Sequence, residues 1–162
     1  MVALLLCAYR YNVCYNLVMA YDIFHETVRH ALHADGWTIT HDPLIIPFGD
    51  TKLYVDFGAE RLLAAEKAGR KIAVEVKSFL SRSPVRDLEN ALGQYLLYQS
   101  VLHRREADRV LYLAVPNNAA EGVLSSALGR AALEDYHLRL LVFDPDKEQV
   151  AQWIEPPTTD IL

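Results

Sequence analysis

The 162-residue chain is 52 % hydrophobic and 23 % charged, the balance of an ordinary globular protein long enough to bury a core of its own. Its net charge of −5 excludes a general basic binder of nucleic acid, though not a site that leaves phosphate contacts to a few local arginines and lysines. Two cysteines, Cys7 and Cys14, make no disulfide framework and fit a reducing cytoplasm, and no run reaches the ~18–20 apolar residues of a membrane span.

Met1–Val18 is apolar but interrupted by Arg10, Asn12 and Asn16, and it lacks the basic start and long apolar centre of a signal peptide. We read it as an extension set by the choice of start site, with one domain over 19–155 and a loose tail over 156–162. From Tyr21 to Ala34, Tyr21, Phe24, Val28, Ala31 and Leu32 recur at helical spacing, with Asp22 near the start and Asp35-Gly36 at the end. His25, Glu26, Arg29, His30 and His33 cover the other faces. Arg29 stands where a helical zinc site needs its second His, so these histidines read as a solvated face.

Trp37–His41 alternates as a strand, Asp42-Pro43 turns the chain, and Leu44–Pro47 is a short extended piece. Leu53–Phe57 is the next strand, after which Gly58 permits a bend. Arg61–Lys67 and Arg70–Ser78 then form a hairpin about Ala68-Gly69. A two-residue turn there pairs Lys67 with Arg70, Leu62 with Glu75 and Glu60 with Lys77. Ser83-Pro84 opens a second helix that runs to about Arg104. Arg109–Val115 is a strand, Ala119–Tyr136 a third helix, and Leu138–Phe143 and Val150–Ile154 are the last strands. The order α-β-β-β-α-β-α-β-β makes an α/β (α+β) domain, a mixed sheet flanked by helices.

The stretch Lys71–Phe79 carries the chemistry. Ile72, Val74 and Val76 alternate to one face, while Ala73, Glu75 and Lys77 point to the other. An acid and an amine on a strand otherwise fit for burial need a partner or a metal. Hydrolysis of a phosphodiester needs oxygen ligands for Mg²⁺ or Mn²⁺, a positioned water and positive charge near the attacked phosphorus. Asp56, Glu75 and the carbonyl of Val76 suit the metal, and Lys77 suits the water and the charge. Gln94 and Tyr98, one turn apart on the second helix, can hold a phosphate or the lysine. Glu26 lies on a helix that can cap the metal end of the sheet. The hairpin register complicates this set. It puts Glu60 opposite Lys77, so Glu60 rivals Asp56 as first carboxylate, and Asp56 arrives only if Gly58 bends the strand back.

Each residue also has a plainer reading. Glu75 and Lys77 could be a surface pair contributing a few tenths of a kcal/mol. Gln94 and Tyr98 could be helix surface and core edge, and Arg82, Arg86, Arg104 and Arg105 a solvated set rather than a phosphate rim. The sequence holds no Gly-rich phosphate loop, nucleophile elbow or zinc spacing.

Asp56…Glu75-Val-Lys77 resembles the signature of the PD-(D/E)XK nuclease superfamily, with its restriction-endonuclease-like fold. Gln94-Tyr-Leu-Leu-Tyr98 resembles the Gln-x-x-x-Tyr motif of its RecB-type members. More closely, Phe24–Arg29, Asp35–Pro43, Asp56–Glu60, Ile72–Phe79 and Ala91–Tyr95 together resemble the XisH family, named as factors controlling excision of the fdxN DNA element. Val55 stands where the nuclease pattern has proline. The resemblance implies a Mg²⁺-dependent endonuclease-like protein acting on DNA, and it prefers Asp56 to Glu60. It equally implies an alternative, a non-catalytic accessory factor that steers a site-specific recombinase or acts through a small XisI-like partner. A homo-oligomer is compatible with either.

Overall fold

The computed structural model describes residues 23–61 and 69–156. The expectations for Met1–Val18, for the Ala68 side of the hairpin turn and for the tail after Pro156 lie outside the described residues. Helix α1 (His25–Ala34) turns its buried stripe of His25, Val28, Ala31 and Leu32 to the sheet. Strands β1 (Thr38–His41), β2 (Leu44–Phe48), β3 (Thr51–Val55), β4 (Phe57–Arg61) and β5 (Arg70–Val76) follow. Helix α2 (Pro84–Arg105) leads to β6 (Arg109–Pro116), and α3 (Asn117–Glu121), a 3₁₀ turn and α4 (Ala127–Asp135) lead to β7 (Leu140–Asp144) and β8 (Gln149–Ile154). No helix among the described residues is long and apolar enough to cross a membrane.

Six strands form one mixed sheet in the order β1-β4-β5-β6-β7-β8. The β5–β6 and β6–β7 pairs are parallel and the others antiparallel. Period-two alternation gives the sheet two apolar faces, each covered. Ile72, Val74 and Val76 of β5 join Phe57, Ala59, Tyr112 and Phe143 beneath Val28 and Leu32 of α1. Ala73 of β5 joins Leu111, Leu113 and Leu140 beneath Leu88, Ala91, Tyr95 and Leu102 of α2. This is the mixed sheet flanked by helices anticipated above, and it accords with a restriction-endonuclease-like architecture.

Four details depart from the sequence reading. Leu44–Phe48 is a true strand: it pairs with β3 in a separate two-stranded ribbon, closed by a two-residue turn in which Gly49 takes φ +57°. The run Leu53–Phe57 is split at Asp56, where the chain leaves the ribbon and enters the main sheet. The third helix breaks into α3 and α4, because Ser126 caps a new start by accepting from Gly129 N–H at 3.1 Å. A Cβ on Gly129 would lie 2.2 Å from the Val123 carbonyl oxygen, so only glycine permits that close turn.

The fourth departure is the β4–β5 register, in which Phe57 pairs with Val74 and Glu60 with Lys71 rather than Lys77. The tight two-residue hairpin is overturned, since Arg61, not Lys67, stands opposite Arg70. A shift by an even number of residues leaves every side chain on its own face, so alternation alone could not choose between the registers. In the observed register Phe57 lies in the same buried core as Val74, Val76 and Val28.

Candidate active site

The corrected register brings the two carboxylates together without any bend at Gly58. With Phe57 opposite Val74, Asp56 falls beside Glu75 at the end of β5. Asp56 Oδ2 accepts the Val76 backbone N–H at 2.8 Å, which docks the carboxylate on the strand carrying Glu75. Val76 thus touches Asp56 through its N–H. Glu75 points to the α2 face and is only 4 % exposed. Lys77 follows immediately, its backbone N–H bonded to the Ala114 carbonyl at 2.9 Å and its Nζ donating to Glu75 Oε1 at 2.8 Å. Burial, and then the Asp56 charge, push the Glu75 carboxyl up to about 7, against the opposing pull of Lys77. Two residues on, Phe79 holds φ +53°, a backbone region that bulky residues seldom occupy.

Helix α2 supplies the neighbouring wall. Ser83 caps it, accepting from Arg86 N–H, and Pro84 takes the first turn as the sequence indicated. Its face presents Asp87, Asn90 and Gln94 to an open cleft of about 470 Å³, closed on the other side by Lys77, Ser78 and Phe79. Tyr98, one turn beyond Gln94, is buried and donates its hydroxyl to the Tyr54 carbonyl at 3.0 Å. Burial and the charges of Glu75 and Asp56 push that phenol up to about 12, so it remains a donor at neutral pH, while Gln94 hydrogen-bonds it.

His25 is the residue the sequence reading placed wrongly. It is buried, 3 % exposed, not part of a solvated face. The reason is its position three residues before Val28, on the same stripe that Leu32 continues. Its Nε2 bonds Asp42 Oδ1 at 2.9 Å, its Nδ1 stands 3.7 Å from Asp56 Oδ1, and its ring lies 4.2 Å from that of Phe57. Arg29 ion-pairs with the other oxygen of Asp42. A carboxylate on one ring nitrogen, with the other turned to a metal-seeking oxygen, is the arrangement that orients an imidazole beside a metal. His30 and His33 are exposed, as expected.

Other named residues sit elsewhere. Glu26 is 68 % exposed and pairs with Arg29. Glu60 faces Arg109 at 3.7 Å, at the opposite end of β5 from Lys77. Arg104 and Arg105 bond the carbonyls of Ser100 and Pro47. Asp42, Asp87 and Asn90 were missed; only Asn90 carried a signal, four residues before Gln94 on one helix face. Among the described residues no three His, Cys, Asp or Glu side chains form a ready metal cage. The donor chemistry nevertheless fits an oxygen-seeking divalent ion: two carboxylates repel one another at the end of a dry strand, and one of them is driven to hold a proton.

The family model for the XisH protein matches residues 18–151. The chain belongs to the XisH family. It is similar to the crystal structure of an XisH family protein from Nostoc punctiforme, at 40 % identity and a TM-score of 0.75. It is similar also to an fdxN element excision controlling factor protein from Anabaena variabilis, at 40 % identity and a TM-score of 0.74. Each match covers 83 % of this chain and 100 % of the other. No curated protein matches the chain. Kinship with XisH proteins agrees with the motifs quoted from Phe24 to Tyr95, which fall within the matched span.

Proposed function

We propose that this XisH protein is a divalent-metal-dependent endonuclease-like protein of the PD-(D/E)XK type, acting on DNA in the excision or control of a mobile element. The observation that carries the reading is the docking of Asp56 on the Val76 N–H at 2.8 Å, which sets its carboxylate against Glu75 with Lys77 at hand. Asp56 and Glu75, with the Val76 carbonyl as a third oxygen, would hold Mg²⁺ or Mn²⁺. The ion, when bound, supplies Lewis acidity toward the phosphate and a more acidic water.

The remaining steps belong to the chain. Lys77 exchanges its bond to Glu75 for a water or a phosphate oxygen, placing an ammonium where negative charge grows. Glu75 would meet the ion as a carboxylate, and the burial and Asp56 charge that raise its affinity for a proton are what a divalent cation there would offset. Tyr98 stays protonated and, with Gln94, fixes the wall against which the phosphate sits. His25, braced by Asp42, holds Asp56 from behind. Glu26 acts at most through Arg29 and Asp42.

The experiment is a nicking assay on supercoiled DNA with Mg²⁺ or Mn²⁺. Metal-dependent nicking that disappears in Lys77→Ala, with the fold intact by circular dichroism, supports the enzyme. A second reading draws on the net charge of −5 and on the excision controlling factor of Anabaena: an accessory role that steers a recombinase or works through a XisI-like partner. No cleavage with any metal, together with DNA or partner binding unchanged in Glu75→Ala, would favour it.

A further inference from the structure

The cleft between α2 and the segment after β5 has a lining unlike that of a phosphate track. Its volume of about 470 Å³ falls in the range of small-ligand sites. Its two charges oppose each other and both are engaged: Lys77 donates to Glu75 at 2.8 Å, and Asp87 accepts the Ser81 backbone N–H at 3.1 Å. The other lining residues are Asn90, Gln94, Ser78 and Phe79. Nucleic-acid backbones are held by rows of cations, and a carboxylate in the wall works against them. Side-chain amides beside an aromatic ring instead suit a flat, uncharged group with donors and acceptors on its edge, as an unstacked base has. Phe79 is half-buried and anchored on the core beneath α2, so its ring is a fixed platform rather than a swinging one.

We infer that this cleft receives an unpaired nucleobase of the strand being cut, with Phe79 against its face and Asn90 at its edge. The substrate class is then DNA with an unpaired nucleotide beside the scissile phosphate, not continuous duplex. Lys77 belongs to both places, so the base and the attacked phosphate are neighbours on one strand. The inference rests on the nuclease reading above and sharpens its substrate.

The test is fluorescence anisotropy of the full chain with three oligonucleotides of one sequence: fully paired, carrying a one-nucleotide bulge, and single-stranded. Ca²⁺ replaces Mg²⁺ so that nothing is cut. The bulged and single strands are expected to bind about tenfold tighter than the duplex, the effect of one base stacked on an aromatic ring. Asn90→Ala and Phe79→Leu should each erase most of that preference while leaving duplex affinity alone. Asn90 is exposed, and leucine keeps the apolar volume of Phe79, so both variants retain the fold. Equal binding of the three DNAs, or a preference untouched in both variants, overturns the inference. Failure of the nuclease reading looks different: preference for the bulge without cleavage in Mg²⁺ sinks the enzyme and keeps the cleft, whereas cleavage without preference does the reverse.

Discussion

Strands β4 and β5 carry charge at both of their ends, and the two ends are built on opposite principles. At the far end, among the described residues, Lys71 and Arg109 are both answered by carboxylates. Lys71 meets Asp108 at 2.8 Å, and Arg109 meets Glu106 at 2.7 Å, the Ile72 carbonyl at 2.9 Å and Glu60 at 3.7 Å. The pairing raises the Lys71 pKa and lowers that of Asp108, as mutual stabilisation requires. At the near end the one ammonium, that of Lys77, goes to Glu75, while Asp56 has the Val76 N–H and the His25 ring, and Glu75 is pushed toward neutrality. The first cluster clamps a fold; the second, on the function proposed above, would take a divalent cation. Same strands, same residue types, and the difference lies in the count of cations and in burial.

The largest expected effect breaks this contrast at the near end. Asp56→Asn keeps an acceptor for the Val76 N–H, so stability should hold, but it removes a ligand charge. Metal-dependent cleavage should fall at least about a hundredfold in the nicking assay. Next comes the far end. Arg109→Ala removes a buried guanidinium that satisfies the Ile72 carbonyl, and urea unfolding should register a loss of about 2–4 kcal/mol. Cleavage per folded molecule should not change. A variant that lost activity in proportion would show that the two ends are coupled.

A pH series sharpens the comparison further. The Glu75 carboxyl lies near 7 in the folded protein against an ordinary value of 4.5, so the folded state binds the extra proton between those values. Stability should therefore be highest below about pH 4.5 as far as this group is concerned, fall as pH rises toward 7, and level off above it. Glu75→Gln removes the penalty. It should be more stable than the parent by about 1–3 kcal/mol at pH 8, and no more stable at pH 4.5, by urea titration. Mg²⁺ should narrow the gap at pH 8 by stabilising the parent alone. A parent that gains stability from pH 5 to pH 8 would argue that the carboxylate is already fully compensated.

Much of the near end was legible because strand periodicity is local. Residues 72–76 alone assigned Ile72, Val74 and Val76 to one face and Glu75 to the other, and the helix signals at Ser83-Pro84 placed Gln94 and Tyr98 on the adjoining wall. What was illegible depended on distance along the chain. The β4–β5 register is one such feature, because every even shift satisfies the same alternation. Asp42 reaches the site only because His25 on α1 meets the turn after β1, a contact with no sequence spacing to announce it. His25 itself was misread through composition: a histidine among charged neighbours looked solvated, although its spacing to Val28 and Leu32 put it on the buried stripe.

The smallest expected effect is the most discriminating. Under the two-residue hairpin, Glu60 would face Lys77 and serve as first carboxylate, so its removal would abolish cleavage. In the observed register it pairs with Lys71 and stands 3.7 Å from Arg109, half-exposed, at the end where charges already balance. Glu60→Gln should leave nicking within about twofold of the parent and stability within about 0.5 kcal/mol, the scale of a solvent-screened pair. The glutamine still offers Arg109 an acceptor, and Glu106 holds the guanidinium from the other side at 2.7 Å. A large loss of cleavage in Glu60→Gln, with Asp56→Asn active, would move the first carboxylate four residues along and return Glu60 to Lys77. The paired result, inert Asp56→Asn and active Glu60→Gln, ties the site to the register through the one hydrogen bond that Val76 gives Asp56.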